Sequence, residues 1–344
     1  MKINDKIEVL DKKILALKGD QSIGLADGKM GQCIYFYCIS RISGNKKYRQ
    51  KAESLIGGMF EQIKNTKVYD IKNGLSGLGL GIDYLMKNKY AEGNVNDVLE
   101  EVDNALFRQI CNPEKFNDGD ISLQLQLIYY FTVRLETQKN NSENECLFRE
   151  VVMDAINFIS ERIYSFFSDE LRTFNMENPS VMSLLSLSQC DKLYKEKIGN
   201  ILKDISFNTL SKIPVLHANR LYLLYAMDKI NKKMETKGWD EHIKLLARES
   251  DIENIIENEL ADNIYFSNGL PAIYLILSDL RDYYSSDQIN KYKGLIIHRI
   301  ENSPLWNRLI DDEYYLKQNN GLYSGYTGTS LLLHKHYKDE NRLN

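Results

Sequence analysis

The chain has 344 residues, of which 43% are hydrophobic, and a formal net charge of −4 with acidic and basic residues mixed along its length. Such a chain can bury a large core, and its mixed charge is unlike the basic face of a nucleic-acid-binding protein. No run of about 18 apolar residues is present, so we expect no membrane span. The N-terminal sequence MKINDKIEVLDKKIL is too charged for the apolar core of a signal peptide, which favours a cytoplasmic protein.

Cysteine and proline usage bears on the compartment and on the number of domains. The five cysteines are odd in number and form no CxxC pair, which favours reduced thiols over a disulfide framework. There are only five prolines, and no stretch rich in Pro, Gly or Ser marks a linker. We therefore predict a single domain over residues 1–344.

A short pattern recurs along the chain: a turn, in most copies bearing glycine, followed by a strongly apolar helix. The copies begin, in chain order, at Gly28, Gly74, Asp118, Asn178, His217, Gly269 and Gly325. The mean spacing is about 50 residues, which is typical of arrays of helical hairpins.

Amphipathic helices are predicted between the apolar ones, because apolar residues recur there at helical spacing with charged residues between them. They cover residues 4–18, 48–63, 95–110, 147–163, 192–206, 240–258 and 287–300. A helix that is apolar on most sides is buried, whereas a helix with one apolar stripe faces water. An open array would need polar caps at both ends. Seven inner and seven outer helices therefore predict an all-α fold that closes into a ring, an α/α toroid.

The helix starts are the candidate functional positions. A Gly-x-x-Gly pattern lets backbones approach closely, and a helix start leaves N–H groups that favour anionic or polar ligands. Tight packing of the inner helices is the structural alternative for these glycines. If the starts share one central cavity, the candidate site residues are Asp70, Asp118, His217, Ser267, Asn268 and Tyr326.

Each candidate also has a structural interpretation. Asp70 is either an acid–base group in the cavity or a helix cap. Asp118 and Asp120 are either paired carboxylates or part of a solvated turn. His217 is either a ligand or proton shuttle, or a polar residue at a helix start.

Ser267 and Asn268 are either binding residues or caps, and the 22 tyrosines suit either a cavity wall that contacts peptide or sugar, or an ordinary core. His334 and His336 lie two residues apart, so they cannot share one helical face as metal ligands.

Three segments resemble the lanthionine synthetase C-like family. YDIKNGLSGLG, from Tyr69 to Gly79, resembles that family's Tyr-Asp-hydrophobic-x-x-Gly-x-x-Gly stretch, and GLADGKMGQCIYF and GLYSGYTG resemble its first and last inner repeats. With seven repeats in order, the resemblance covers nearly the whole chain. It implies an α/α toroid, in whose active members zinc activates a peptide cysteine thiolate. The thiolate then adds to dehydroalanine or dehydrobutyrine and forms a thioether ring.

The positions that correspond to the family's zinc ligands are changed. The family uses a cysteine in the fifth repeat and a Cys-His pair in the sixth, where this chain has Leu216, Ser267 and Asn268. The family's aspartate is matched by Asp70. No cysteine follows Cys190, so we expect no bound metal and no other cofactor. The partners that the resemblance implies are a precursor peptide or other peptide-modifying enzymes.

Three functions stay open on the sequence. The first is a lanthionine synthetase C-like protein that assists modification of a ribosomally made peptide, with zinc-dependent cyclisation absent or altered and Asp70 as the candidate catalytic residue. The second is a glycoside hydrolase on a similar ring, related in architecture to six-hairpin glycosidases, using Asp70, Asp118 and Asp120 as carboxylates. The third is a non-catalytic peptide-binding scaffold, since fold does not fix function.

Overall fold

A computed structural model describes residues 2–16, 21–111, 121–138, 142–168 and 175–343. Helices make up 74% of the structure, and none of these described residues lies in a β-strand. The prediction of an all-α protein is confirmed. Among the described helices, none is both long enough and apolar enough to cross a membrane.

All seven predicted apolar segments are helical, and amphipathic helices alternate with them. The apolar helices are α2 (Lys29–Ser43), α4 (Leu75–Lys87), α6 (Ile121–Leu135), α8 (Pro179–Gln189), α10 (His217–Asn231), α12 (Leu270–Asp279) and α16 (Tyr326–Leu343). The others are α1 (Ile3–Ala16), α3 (Lys46–Phe60), α5 (Val95–Ile110), α7 (Glu143–Ser168), α9 (Asp191–Leu210), α11 (Trp239–Glu249), α13 (Ser286–Glu301), α14 (Leu305–Asp311) and α15 (Glu313–Gln318).

Burial differs between the two kinds of helix in the way that their patterns predict. In α2, residues 30–37 are all buried, which covers more than two full turns. In α11, one stripe that includes Trp239, Ile243 and Leu246 is buried, whereas Lys244 between them is exposed. A helix that is buried on all sides must be surrounded by other elements. A helix with one buried stripe packs that stripe on the core and exposes its other side to solvent.

The prediction of one continuous helix over 240–258 is wrong. Helix α11 ends at Glu249, and Ser250 takes an extended conformation with φ −91° and ψ 107°. The Asp251 side chain then accepts a hydrogen bond from Asn254 N at 3.0 Å and starts a new turn, which continues as a π-helical turn over Ile255–Glu259. Short aspartate side chains compete with helical backbone bonds in this way. The sequence patterns also missed the short helices α14 and α15.

Tertiary contacts divide the chain into two compact units. Unit 1 comprises Met1–Leu106, Ala261–Leu275 and Lys293–Asn344, and unit 2 comprises Phe107–Leu260 and Ile276–Tyr292. In unit 2, α8 packs against both α6 and α10, so three successive apolar helices are neighbours. In unit 1, α2 packs against both α4 and α16. The first apolar helix therefore contacts the second and also the last.

A buried carboxyl group links the N-terminal helix of unit 1 to the first and last apolar helices. Asp11 of α1 accepts hydrogen bonds from the hydroxyl groups of Tyr35 at 2.5 Å and Tyr326 at 3.5 Å. The Tyr35 hydroxyl also lies 3.0 Å from the Ser330 hydroxyl of α16. Burial raises the pKa of Asp11 to about 6, although the two phenol hydrogen bonds act in the opposite direction.

The substitution Asp11→Asn should flatten the dependence of stability on pH between about pH 4 and pH 6. The folded pKa lies above the ordinary value of 3.8, so the folded protein keeps a proton that the unfolded chain releases. That stabilisation is complete below the unfolded pKa, and it is lost as the pH rises through the folded pKa, by about 3 kcal/mol in total. Urea unfolding at several pH values measures the slope. Equal slopes in the parent and the variant would contradict the assignment.

Candidate functional site

Four apolar helices begin in unit 1, and their first residues share the same backbone geometry. In each, the first helical N–H donates to the carbonyl oxygen seven residues earlier. These bonds are Lys29 N to Ser22 O at 2.8 Å, and Leu75 N to Val68 O, Leu270 N to Asn263 O and Tyr326 N to Asn319 O, each at 3.0 Å. Each bond closes a seven-residue turn. We call residues 22–28, 68–74, 263–269 and 319–325 the glycine turns, since each ends in glycine.

Glycine is required at Gly74 and Gly77 because other backbone atoms lie where a Cβ atom would be. A Cβ atom at Gly74 would lie 2.4 Å from the carbonyl oxygen of Val68, six residues earlier. Three residues further on, a Cβ atom at Gly77 would lie 2.0 Å from Ile71 O and 2.5 Å from Leu25 N. Real Cβ atoms do not approach so closely, so only glycine fits without displacing backbone. This geometry supports tight packing as the reason for the Gly-x-x-Gly pattern.

The glycine turns also bond to one another through the backbone. Ser267 N donates to Tyr323 O at 2.9 Å, and Tyr323 N donates to Ala26 O at 2.8 Å. Leu25 N donates in turn to Ile71 O at 3.0 Å. The turns of the sixth, seventh, first and second repeats therefore follow one another in that order, and the last repeat lies between the sixth and the first.

A polar residue precedes the final glycine in each of the four turns. We call these residues, which are all half-buried, the polar row: Asp27, Asn73, Asn268 and Ser324. Asp27 Oδ1 accepts a hydrogen bond from Ser324 N at 2.8 Å, and Asn73 Oδ1 accepts one from the Ser22 hydroxyl at 3.1 Å. A carboxylate, two amides and a hydroxyl thus occupy equivalent positions on four adjacent turns.

Asn268 is held in an unusual conformation within the sixth turn. Its φ is +52°, a left-handed conformation that asparagine tolerates better than most residues. The Asn263 Nδ2 group donates to the carbonyl oxygens of Ser267 at 2.8 Å and Asn268 at 3.1 Å. The Asn268 Oδ1 atom is buried and has no hydrogen-bond partner within the described part of the chain. The Ser267 and Asn268 backbone is therefore fixed, while one amide oxygen is unsatisfied.

Asp70 lies in the second glycine turn and stabilises it. Its Oδ1 atom accepts a hydrogen bond from Asn73 N at 2.6 Å, and its carbonyl oxygen accepts one from Gly74 N at 3.0 Å. Asp70 therefore stabilises the turn before α4, whereas the structural alternative from the sequence was a cap of the helix itself; the helix N-cap is Gly74, which makes no side-chain cap hydrogen bond.

Three predicted site residues, Asp70, Ser267 and Asn268, lie in glycine turns of unit 1, at the two ends of the bonded series. Tyr326 is the first residue of α16, but its side chain is fully buried. Its hydroxyl group donates to Asp11 and does not face an open surface. Asp118, with its neighbour Asp120, lies outside the described residues.

His217 lies in unit 2, at the start of α10. Its Nδ1 atom is 3.1 Å from Asp251 N and 3.2 Å from Arg220 Nη1. The Glu249 carbonyl oxygen also lies 3.1 Å from Nδ1. Arg220 Nη1 also donates to Glu249 O at 2.6 Å. The histidine and the arginine therefore hold α10 against the break that follows α11.

Glu259, which the sequence patterns did not single out, caps α10. Its two carboxylate oxygens accept hydrogen bonds from His217 N at 2.9 Å and Ala218 N at 2.8 Å. It thus takes the place of the carbonyl oxygen that serves the glycine turns of unit 1, and a negative charge at a helix start is favourable. The only sequence signal is indirect: the fifth repeat lacks the turn glycine.

The residues at the family's zinc-ligand positions do not fit a zinc ion. Leu216 carries an apolar side chain that is 47% exposed, and Ser267 and Asn268 supply a hydroxyl and an amide where zinc sites use thiolate and imidazole. The residues that the structure describes contain no group of three or more His, Cys, Asp or Glu side chains that is suitable for a metal ion. These residues therefore support no zinc-dependent step.

No protein-family model matches the sequence, and no characterised protein matches it with significance. The resemblance to the lanthionine synthetase C-like proteins therefore rests on the three motifs and on the repeat series.

The substitutions Gly77→Ala and Gly57→Ala should have opposite effects on stability. At Gly77 the added methyl group would meet backbone atoms on two sides, and overpacking of this kind should cost about 2 kcal/mol or more. At Gly57, inside the amphipathic helix α3, nothing lies within 4 Å of an added Cβ, and alanine should stabilise the helix by about 0.5–1 kcal/mol. Urea unfolding of the two variants tests this. An unchanged stability for Gly77→Ala would remove the close-approach argument.

Proposed function

We propose that this chain is a ring-shaped helical protein similar to the lanthionine synthetase C-like proteins, and that it assists modification of a ribosomally made peptide in the cytoplasm. In this proposal it binds the precursor peptide at the polar row and does not carry out zinc-dependent cyclisation. The observation that carries the proposal is the row itself. Four equivalent polar residues lie on adjacent turns, and two of the three changed ligand positions, Ser267 and Asn268, belong to one of those turns.

The order of the repeats supports the ring. Helix α2 packs against both α4 and α16, and the glycine turn of the last repeat bonds to the turn of the first through Tyr323 N and Ala26 O. In an open array of repeats, the first and last members have a neighbour on one side only. Here the first repeat has neighbours on both sides, as a closed array requires.

The chemistry of the polar row supports a peptide as the ligand. An extended peptide presents N–H and C=O groups in alternation, and a binding surface must supply both acceptors and donors. The amide side chains of Asn73 and Asn268 contain both, and both residues are half-buried, so each keeps some exposed surface.

The absence of cyclisation in this proposal rests on Leu216, Ser267 and Asn268, which stand where the resemblance expects the zinc ligands. A thiol becomes a good nucleophile when a metal ion or a neighbouring cation lowers its pKa. A leucine, a serine and an asparagine at the ligand positions do not provide such a group. Hydrolysis of a glycosidic bond would need two carboxyl groups that flank the bond. Asp70 is engaged in its own turn, and Asp118 and Asp120 lie outside the described residues, so nothing in the described part of the chain favours that second function.

Peptide binding can be tested by fluorescence anisotropy with short peptides encoded beside the gene. The double variant Asn73→Ala with Asn268→Gly should bind about tenfold more weakly, since two side-chain hydrogen bonds are lost. Glycine is chosen at 268 because it accepts the left-handed conformation. The variant Asn200→Ala, in unit 2, is the control and should bind as the parent does.

A second assay tests cyclisation. The protein is mixed with a peptide that contains cysteine and dehydroalanine or dehydrobutyrine, and mass spectrometry after thiol labelling should show that the peptide keeps its free thiols. Thioether formation by the purified protein would overturn the non-catalytic part of the proposal. Parental affinity in the double variant would overturn the polar row as the binding surface.

A further inference from the structure

We propose that a basic pocket in unit 1 binds the phosphate group of a small-molecule ligand. The pocket has a volume of about 1010 Å³ and lies where α2 ends, α3 begins and the segment after α4 returns. Its lining includes Tyr37, Arg41, Lys46, Arg49, Lys89 and Tyr90. These residues lie at the opposite end of α2 and α4 from the glycine turns, so the inference does not depend on the proposed peptide function.

The charge of the pocket is opposite to that of the chain. Four basic side chains line it, together with the two carboxylates of Glu53 and Glu92, in a protein whose net charge is −4. Arg49 is paired with Glu53, with Nε 2.9 Å from Oε1. The excess of two positive charges matches the charge of a phosphate monoester near neutral pH.

Arg41 is held in place before any ligand arrives. Its guanidinium carbon lies 3.6 Å from the centre of the Tyr90 ring, and its Nη2 atom donates to Asn88 O at 3.1 Å. A guanidinium group fixed by stacking loses less freedom when it binds an anion. The pKa of Tyr37 is raised to about 12, mainly by burial and to a smaller extent by the nearby Cys33. This phenol therefore keeps its proton and can donate a hydrogen bond to an anion.

Lys89 provides a second, independent observation. Its φ is +58°, and in the described part of the chain only Asn268 shares a positive φ among the non-glycine residues. The turn that ends α2 uses Gly44, with φ +70°, for the corresponding left-handed position. Glycine is the usual residue there, because a side chain adds strain. Backbone strain at a ligand-facing position is typical of functional sites. Here a lysine occupies the strained position, and its ammonium group adds a positive charge to the pocket.

The start of α3 adds to the same positive environment. The Asn45 side chain accepts a hydrogen bond from Lys47 N at 3.0 Å, and the first helical residue, Lys46, lines the pocket. Lysines act as point charges and are common phosphate ligands, and arginines bind phosphate through two N–H groups. The two lysines and two arginines of the lining are therefore suited to a phosphate group.

Isothermal titration with inorganic pyrophosphate at low ionic strength tests the assignment. The parent should bind at one saturable site, and Lys46→Ala and Lys89→Gly should each weaken binding about tenfold. Lys89→Gly should also raise the midpoint of thermal unfolding, because it relieves the left-handed strain while it removes the charge. A general loss of structure cannot produce this combination. The matched control is Lys203→Ala in a second lysine-bearing pocket, in unit 2, and it should leave binding unchanged.

Three results would overturn the inference. The first is the absence of saturable binding by the parent. The second is an equal loss of binding in Lys203→Ala, which would mean a general charge effect. The third is binding of citrate as tight as that of pyrophosphate, which would assign the pocket to carboxylates.

Discussion

The close approach of backbones at the glycine turns is the constraint on which the rest of unit 1 depends. Each turn folds back until the first N–H of the following helix meets a carbonyl oxygen seven residues earlier, and at Gly77 even one added carbon would lie 2.0 Å from a backbone oxygen. Because the turns are this tight, neighbouring turns can also bond to each other. The helix starts of four repeats are thereby fixed side by side, and the residues just before the glycines form the polar row.

In unit 2, a side chain and not a backbone carbonyl accepts hydrogen bonds from the first N–H groups of one helix, α10. Every helix begins with N–H groups that lack partners within the helix. At α10 the carboxylate of Glu259 accepts hydrogen bonds from two of these N–H groups. Arg220 and His217 bond to the backbone of Glu249 and Asp251, where α11 ends. In unit 1, Asp11 serves a different purpose, since it joins α1 to α2 and α16 through two phenol groups. In these two places a carboxylate joins one helix to another part of the chain.

The sequence predicted all seven apolar helices, because hydrophobic periodicity is a local property that burial preserves. It failed where a distant residue decides the local structure. The break after Glu249 depends on the Asp251 cap and on His217, which contacts it from another helix. The direction of the Tyr326 side chain depends on Asp11, more than 300 residues away in the chain. Helix spacing placed Asp70 and Asn268 at the right turns, but it did not reveal that Asp70 caps its own turn or that Asn268 is left-handed.

The first and last repeats are direct neighbours through their glycine turns. Replacing Asp27 and Ser324 together by cysteine tests this contact, because the Asp27 carboxylate lies 2.8 Å from Ser324 N. Under mild oxidation the double variant should form an intramolecular disulfide, seen after tryptic digestion as a linked pair of peptides from the two ends of the chain. The single variants should not form it. The absence of that linked pair in a folded double variant, with both thiols still free, would contradict the direct contact between the first and last repeats.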